Sequence, residues 1–115
     1  MTADQEVART FAAEVEDVAG GEQIIAVVVG EMGWMGYRDE SKPAWGHIKG
    51  RVVTWEEARP MLDYIYDDGY GAPDCQAIYA WTPTRVIFVS QYDGSTNIES
   101  IPRNPIDCVP DIPGG

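Results

Sequence analysis

Basic residues are scarce in this chain. Eight Lys and Arg stand against nineteen Asp and Glu in 115 residues, a formal charge of −11 with the one His neutral. Nucleic acid and anionic lipid are held by cations that neutralise phosphate, so this surplus of carboxylates excludes both as natural partners. Long apolar runs are missing too. The longest, Ile24 to Val29, has six residues, whereas a membrane-spanning helix needs about 20. The start, Met1-Thr2-Ala3-Asp4-Gln5-Glu6, has neither the basic opening nor the apolar stretch of a secretory signal, and we expect a cytoplasmic protein. Cysteine is limited to Cys75 and Cys108. A bridge between them would close a 34-residue loop and add about 3–4 kcal/mol, but in a reducing compartment two free thiols are expected. Neither belongs to a Cys-x-x-Cys pair, and His47 alone leaves a zinc set incomplete. Ser41, Ser90, Ser95 and Ser100 lie outside any Gly-x-Ser-x-Gly elbow. The acids are so numerous that no carboxylate pair stands out for acid–base work. We therefore assign no catalytic, cofactor or metal residue and expect a non-enzyme.

What is present suits one domain spanning residues 1–115. The chain is 44% hydrophobic and 23% charged, with four Trp, six Tyr and two Phe, which excludes a disordered chain. Its length lets about two-thirds of the unfolded surface be buried. Thr2 and Gln5 form a capping box, and Val7, Phe11, Val15 and Val18 recur at helical spacing. These predict a helix over 3–19, stopped by Gly20-Gly21, with Glu6, Glu14, Glu16 and Asp17 on the opposite arc. Residues 23–29, rich in β-branched side chains and apolar from Ile24 onward, predict a strand buried on both faces in the middle of a sheet. Glycines break the segment 30–50, which also carries Trp34, Tyr37 and Trp45. It reads as a loose hairpin or long loop, with a short strand near 45–53. A second capping box, Thr54 with Glu57, opens a helix whose apolar face is Trp55, Ala58, Met61, Leu62 and Ile65. Pro60 either kinks that helix or starts a new one.

The remainder predicts a meander: 76–82, 85–92 and 96–101 as strands, Pro83-Thr84 and Asp93-Gly94 as turns. Two-residue turns place Ala80 opposite Ile87 and Val89 opposite Ile98. Ile78, Ala80, Ile87, Val89 and Ile98 then share one face, a floor for the helices. Tyr79, Trp81, Phe88 and Tyr92 share the other, with Asn97, Glu99 and Ile101; the Trp34–Trp45 segment folding back is expected to cover these rings, with a second copy of the chain or a partner protein as the alternatives. The fold class is thus α+β: an antiparallel sheet with a C-terminal three-stranded meander, two helices on one face, and an irregular Pro-rich tail over 102–115.

Several local patterns fall short of a motif. Gly30, Gly33 and Gly36 follow a strand, but their spacing is not that of a dinucleotide loop and no Lys-Ser/Thr closes it. Asp67 to Asp74 is acidic and glycine-rich without the alternating ligands and distal Glu of a calcium loop. Ring-bearing sheets also bind RNA, which the charge opposes. The acids cluster: six against one base over 1–22, and six against one over 56–74. Glu56, Asp63 and Asp67 fall within about 40° on a helical wheel. A duplex carries one charge per roughly 1.7 Å, far denser than the about five charges of the first helix, so this is no duplex mimic; it suits a basic protein surface.

Asp67-Asp68-Gly69-Tyr70-Gly71, Tyr79-Ala80-Trp81-Thr82, Val86-Ile87-Phe88-Val89, Tyr92-Asp93-Gly94-Ser95-Thr96 and Ile101-Pro102-Arg103-Asn104-Pro105 resemble short acidic proteins encoded by actinobacterial bacteriophages, over roughly residues 54–108. The resemblance implies a small phage-encoded protein acting in a host cytoplasm and assigns no site residue. From the residues we expect a module that binds a protein with a basic surface, a modulator or inhibitor of a host or defence factor, through Glu56, Asp63, Asp67, Tyr79, Trp81, Phe88 and Tyr92. Two alternatives stand beside it: a homodimer or larger oligomer closed through the ring-bearing face, and a small-molecule binder or enzyme with a pocket near 30–50.

Overall fold

The computed structural model describes residues 9–33, 42–69 and 71–112. In chain order they form α1 (Phe11–Ala19), β1 (Ala26–Met32), α2 (Trp55–Leu62), β2 (Gln76–Trp81), β3 (Arg85–Tyr92) and β4 (Ser95–Pro102). The strands make one antiparallel sheet in the order β1-β2-β3-β4. The expected meander is therefore there, widened to four strands by β1, and the class is α+β.

Helix α1 begins later than the sequence pattern suggests. Thr10 is extended and caps the helix, its hydroxyl accepting from Ala13 N at 3.1 Å, so residues 9 and 10 are not helical. The Thr2–Gln5 box, Val7 and Ala8 lie outside the described residues. Gly20, at φ 64°, ends α1 and returns its N–H to the Asp17 carbonyl, a left-handed stop that glycine adopts without strain. Helix α2 starts as expected, with the Thr54 hydroxyl accepting from Glu57 N at 3.1 Å. It runs through Pro60 as one helix and stops two residues later. Ile65 consequently leaves the expected buried stripe: it is 64% exposed and bridges Thr10, while Phe11 N donates to the Tyr64 carbonyl.

Strand β1 is not central but terminal in the sheet order. Val27, Val29 and Met32 are buried while Val28 and Gly30 are only half so, because one side of the sheet has no described helix over it. The free edge of β1 is closed instead by the chain at 49–53. Val27 and Val53 exchange both backbone bonds, and Gly50 N donates to the Val29 carbonyl. The strand expected near 45–53 thus reduces to two isolated bridges, and Trp45 joins the core with its indole N–H on the Gly30 carbonyl at 3.1 Å.

Register follows the counting: Ala80 pairs with Ile87 and Val89 with Ile98. Asp93 (φ 50°) and Gly94 (φ 87°) both take positive φ, the primed geometry that matches strand twist. The other turn is different, since Pro83 cannot take positive φ. There the buried Thr82 hydroxyl accepts from Arg85 N at 2.8 Å, while Thr82 N donates to the Arg85 carbonyl at 2.9 Å. Glu22 adds to the hold, its carboxylate accepting from the Thr84 hydroxyl at 2.7 Å. The inward face of the sheet (Val27, Val29, Ile78, Ala80, Ile87) meets Phe11, Val15, Ala58 and Leu62 in a single core.

Across the helix pair, Glu16 of α1 accepts from Arg59 of α2 twice, at 2.8 and 3.1 Å, and from the Trp55 indole at 2.8 Å. Hydrogen bonding from the Arg59 guanidinium holds the Glu16 carboxyl below its ordinary 4.5, against the opposing effect of burial. A lowered carboxyl contributes stability above that ordinary value and loses it as pH falls through the folded one. Arg59→Ala is expected to cost about 1–2 kcal/mol at pH 7, a figure already discounted for the solvent both groups retain. The variant should also show a shallower loss of stability than wild type below pH 4.5, read from urea melts across an acid series. Parallel acid limbs would refute the role given to this pair. Thr82→Val should cost about 1–3 kcal/mol by stranding the Arg85 N–H, again measured by urea melts; an unchanged midpoint would mean the turn is held otherwise.

Candidate functional site

The two strand faces differ sharply in what covers them. Inward residues are sealed by α1 and α2. Outward, Tyr79 is 59% and Ile101 52% exposed, and Trp81 and Phe88 are half-buried. Tyr79 stands across from Phe88 on one side and Val28 on the other, and Trp81 across from Val86 and Ala26. The Tyr79 and Trp81 rings meet edge to face, centroids 6.4 Å apart at 71°. No described residue lies over them as a layer. Such a surface is what protein contacts bury.

Charge is nearly absent from this face. Among the outward positions paired in the ladders, from Ala26 to Ile101, only Glu99 is ionisable in the acidic or basic range, and its carboxylate takes the Ser90 hydroxyl. Depletion of charge around exposed rings is the composition of an interface centre. The face continues toward the tail: between Phe88, Ile101, Pro105, Ile106 and Val109 runs a groove of about 650 Å³, with Arg103 tied to the Thr82 carbonyl at 2.9 Å. Val109 and Ile112 project almost fully into solvent, at 93% and 97%.

The seven residues expected to bind a partner divide into two groups. Tyr79, Trp81 and Phe88 come together on the outward face. Tyr92 shares that face but lies at its far end, opposite Ser95 beside the hairpin turn. The acids are elsewhere. Glu56 is exposed on α2 and Asp63 is the residue after its last turn, bonded to Arg59 at 3.3 Å. Both belong to the helix layer, on the other side of the sheet from the rings. Asp67 was counted to the same stripe, but the helix has ended by then. The chain turns off at Asp63 to reach Thr10 and Phe11, and Asp67 Oδ1 instead accepts from Gly69 N at 2.9 Å in a loop.

The acids of α1 are engaged by partners within the chain. Glu14 takes the Tyr66 hydroxyl, Glu16 takes Trp55 and Arg59, and Asp17 pairs with Arg9 at 3.3 Å. Burial, aided by the Glu14 carboxylate, raises the Tyr66 phenol well above its ordinary value, so it remains a donor. Of the basic stretch of 38–51, Lys42 pairs with Asp74 at 3.2 Å and lies over the Tyr64 ring, Lys49 pairs with Glu31 at 2.6 Å, and Arg51 is exposed beside the His47 carbonyl. Trp34, Tyr37 and Arg38 fall outside the described residues. Of the pocket expected near 30–50, the described part includes Gly33, which lines a cleft of about 210 Å³ against β2 and β3, while 34–41 lie outside the described residues. No described group of His, Cys, Asp and Glu is placed to hold a metal, and no described helix is long and apolar enough to cross a membrane. Sequence reasoning passed over Thr82, Arg59, Gln76 and Gln91. Only Arg59 left a trace, as the single base among six acids over 56–74.

The fold and the uncovered face together define an α+β domain with one sealed and one open sheet side. Comparison with protein-family models, with curated proteins and with solved structures gives no match.

Both thiols are free, Cys75 buried and Cys108 exposed. Burial, then the neighbouring Asp74, pushes the Cys75 thiol up to about 12. An aromatic disulfide reagent at pH 8 should therefore titrate one thiol per chain rapidly and the second only in denaturant. Two fast thiols would contradict the packing around Cys75.

Proposed function

We propose that this protein is a non-enzymatic protein-binding module and that the outward, uncharged face of the sheet is its contact surface. The observation that carries the reading is the Tyr79–Trp81–Phe88 cluster, with Tyr79 exposed and the other two rings half-buried, on a sheet side that neither described helix covers. Rings of this kind anchor interfaces because they bury large area at little cost in rotamer freedom. Carboxylates at the margins, Asp93 at the hairpin tip and Asp111 along the tail, suit a partner whose apolar patch is bordered by basic groups. The net charge would speed that encounter from any direction. The phage resemblance gives the setting: a host cytoplasm, with a host or defence factor as the protein bound and modulated.

Glu56 and Asp63 lie on the opposite side, so contact at the rings leaves them free of the interface. In capture from actinobacterial lysate, Tyr79→Ser/Trp81→Ser is expected to lose the partner held by wild type. Glu56→Lys/Asp63→Lys should retain it, weakened about threefold or less through the long-range field. The reverse pattern would move the site to the helices and overturn the reading. A second reading uses the same face to join two copies. The lack of charge there favours it, since copies of −11 can approach ring to ring with their acidic helices pointing apart. Sedimentation of a monomer at high micromolar concentration would dismiss it.

A further inference from the structure

The chain leaves β4 at Pro102 and is pinned at once. Arg103 N donates to the Thr84 carbonyl and Arg103 Nη1 to the Thr82 carbonyl, both at 2.9 Å. Beyond that point the described tail, residues 104–112, makes no hydrogen bond or ion pair with any described residue. Val109 and Ile112 meet almost nothing of their own chain. Val109 precedes Pro110 and Ile112 precedes Pro113, which holds both residues extended. A spacing of three puts them on one side of a polyproline-type ribbon. Asp107 and Asp111 are interspersed with them and are exposed as well. The tail is thus a stiff strip, apolar and acidic, without a place in its own fold.

The groove of about 650 Å³ beside it has the complementary character. Phe88 and Ile101 supply apolar lining, and Arg85 and Arg103 lie along it. Arg9, Lys42, Lys49 and Arg59 each hold a carboxylate. Among the described residues Arg85 and Arg103 hold none, in a chain with nineteen acids. Arg51, which also lacks one, stands beside the His47 carbonyl. Arg85 gives Nε and Nη2 to Ser100, and Arg103 gives Nη1 to Thr82, so the five N–H groups of each guanidinium are only partly used. The nearby acids are committed or out of reach. Glu22 acts on Arg85 only at longer range and is bonded by the Thr84 hydroxyl. Glu99 takes the Ser90 hydroxyl, and Asp111 of the same chain lines the groove without pairing with either arginine.

We propose that two copies of this chain exchange tails, each laying Val109 and Ile112 on the other's Phe88 and Ile101 and presenting Asp107 and Asp111 to its Arg85 and Arg103. The inference rests on the reading above that joins two copies, and it names the segment that joins them. Charge selects this occupant. A neutral apolar segment would leave both arginines without a carboxylate, and a basic one would be repelled by them. The tail carries apolar and acidic groups together. Its reach is sufficient: residues 104–112, at about 3.1 Å each, span roughly 28 Å. Four strands about 4.8 Å apart make a sheet only about 14 Å wide. Proline also fixes φ in the free tail, so little freedom is lost on docking. The exchange is reciprocal about one two-fold axis, which doubles the contact and closes the assembly at two.

The test is sedimentation of the full-length protein over a concentration series, wild type beside tail variants. Val109 and Ile112 lie outside the core, so changing them leaves the fold intact. Wild type is expected to dimerise, and Val109→Ser/Ile112→Ser to weaken the dimer at least about tenfold. Asp107→Lys/Asp111→Lys should weaken it about fivefold or more. That variant makes each copy less acidic and lowers their general repulsion, so tighter association of it would overturn the proposal. A blocked peptide of residues 104–112 bearing Cys108→Ser is then titrated into isotope-labelled Val109→Ser/Ile112→Ser protein. Saturable shifts are expected at the amides of Phe88, Ile101 and Arg103; their absence at millimolar peptide would refute the docking. A wild-type monomer at high micromolar concentration would sink both this proposal and the two-copy reading. A dimer indifferent to both tail variants but lost in Tyr79→Ser/Trp81→Ser would overturn tail exchange alone and leave copies joined ring to ring.

Discussion

Two tight turns set which side chains point where. A strand alternates its side chains with period two, so one residue more or less in either turn would exchange the faces of every strand beyond it. The Asp93-Gly94 turn meets this constraint through backbone conformation. The Pro83-Thr84 turn cannot, and a buried threonine hydroxyl bonded to Arg85 N does the work instead. From those two bends follow the aliphatic floor on which α1 and α2 rest and the ring-bearing side that they leave open. A protein this small has helices enough to cover one side of a four-stranded sheet; the composition of the other side shows how that limit is used.

Acidic residues serve two purposes here, separated by location. Glu14 and Glu16 act inside the structure, binding a tyrosine, a tryptophan and an arginine across the joints between α1, α2 and the chain that follows. Their worth is local, because hydrogen-bonded carboxylates in partial burial gain from charge-assisted donors. Glu56, Glu57 and the tail aspartates remain in solvent and contribute mainly a field. That field surrounds a face that is itself almost neutral. Steering and contact are thus assigned to different residues, the usual division at interfaces where charge governs encounter and apolar anchors govern persistence.

The ring-bearing side provides apolar area at Tyr79, Trp81 and Phe88, and the groove beside the tail continues it past Ile101, where Arg85, Arg103 and Asp111 join the lining. Contact there leaves Glu56 and Glu57 of the helix layer in water, so the cost of desolvating them does not arise.

By itself the sequence determined the strands of the meander, their registers, the cap of α2 at Thr54 and the segregation of rings from aliphatic side chains. Each depends on neighbours in the chain: a period of two, a hydroxyl three residues from an amide, a two-residue turn. Tertiary structure decided the rest. Thr10 caps the helix as described, where Tyr64 and Ile65 return to meet it. β1 ends the sheet order because the chain at 49–53, expected as a short strand, meets it only through two isolated bridges. The acidic stripe broke at Asp63 because the helix beneath it ended there to make that same return. The early end of the β2–β3 ladder at Tyr79↔Phe88 left no mark in the sequence either. Short-range geometry is written in residue order, while the choice among long-range contacts emerges only when all of them compete for the same space.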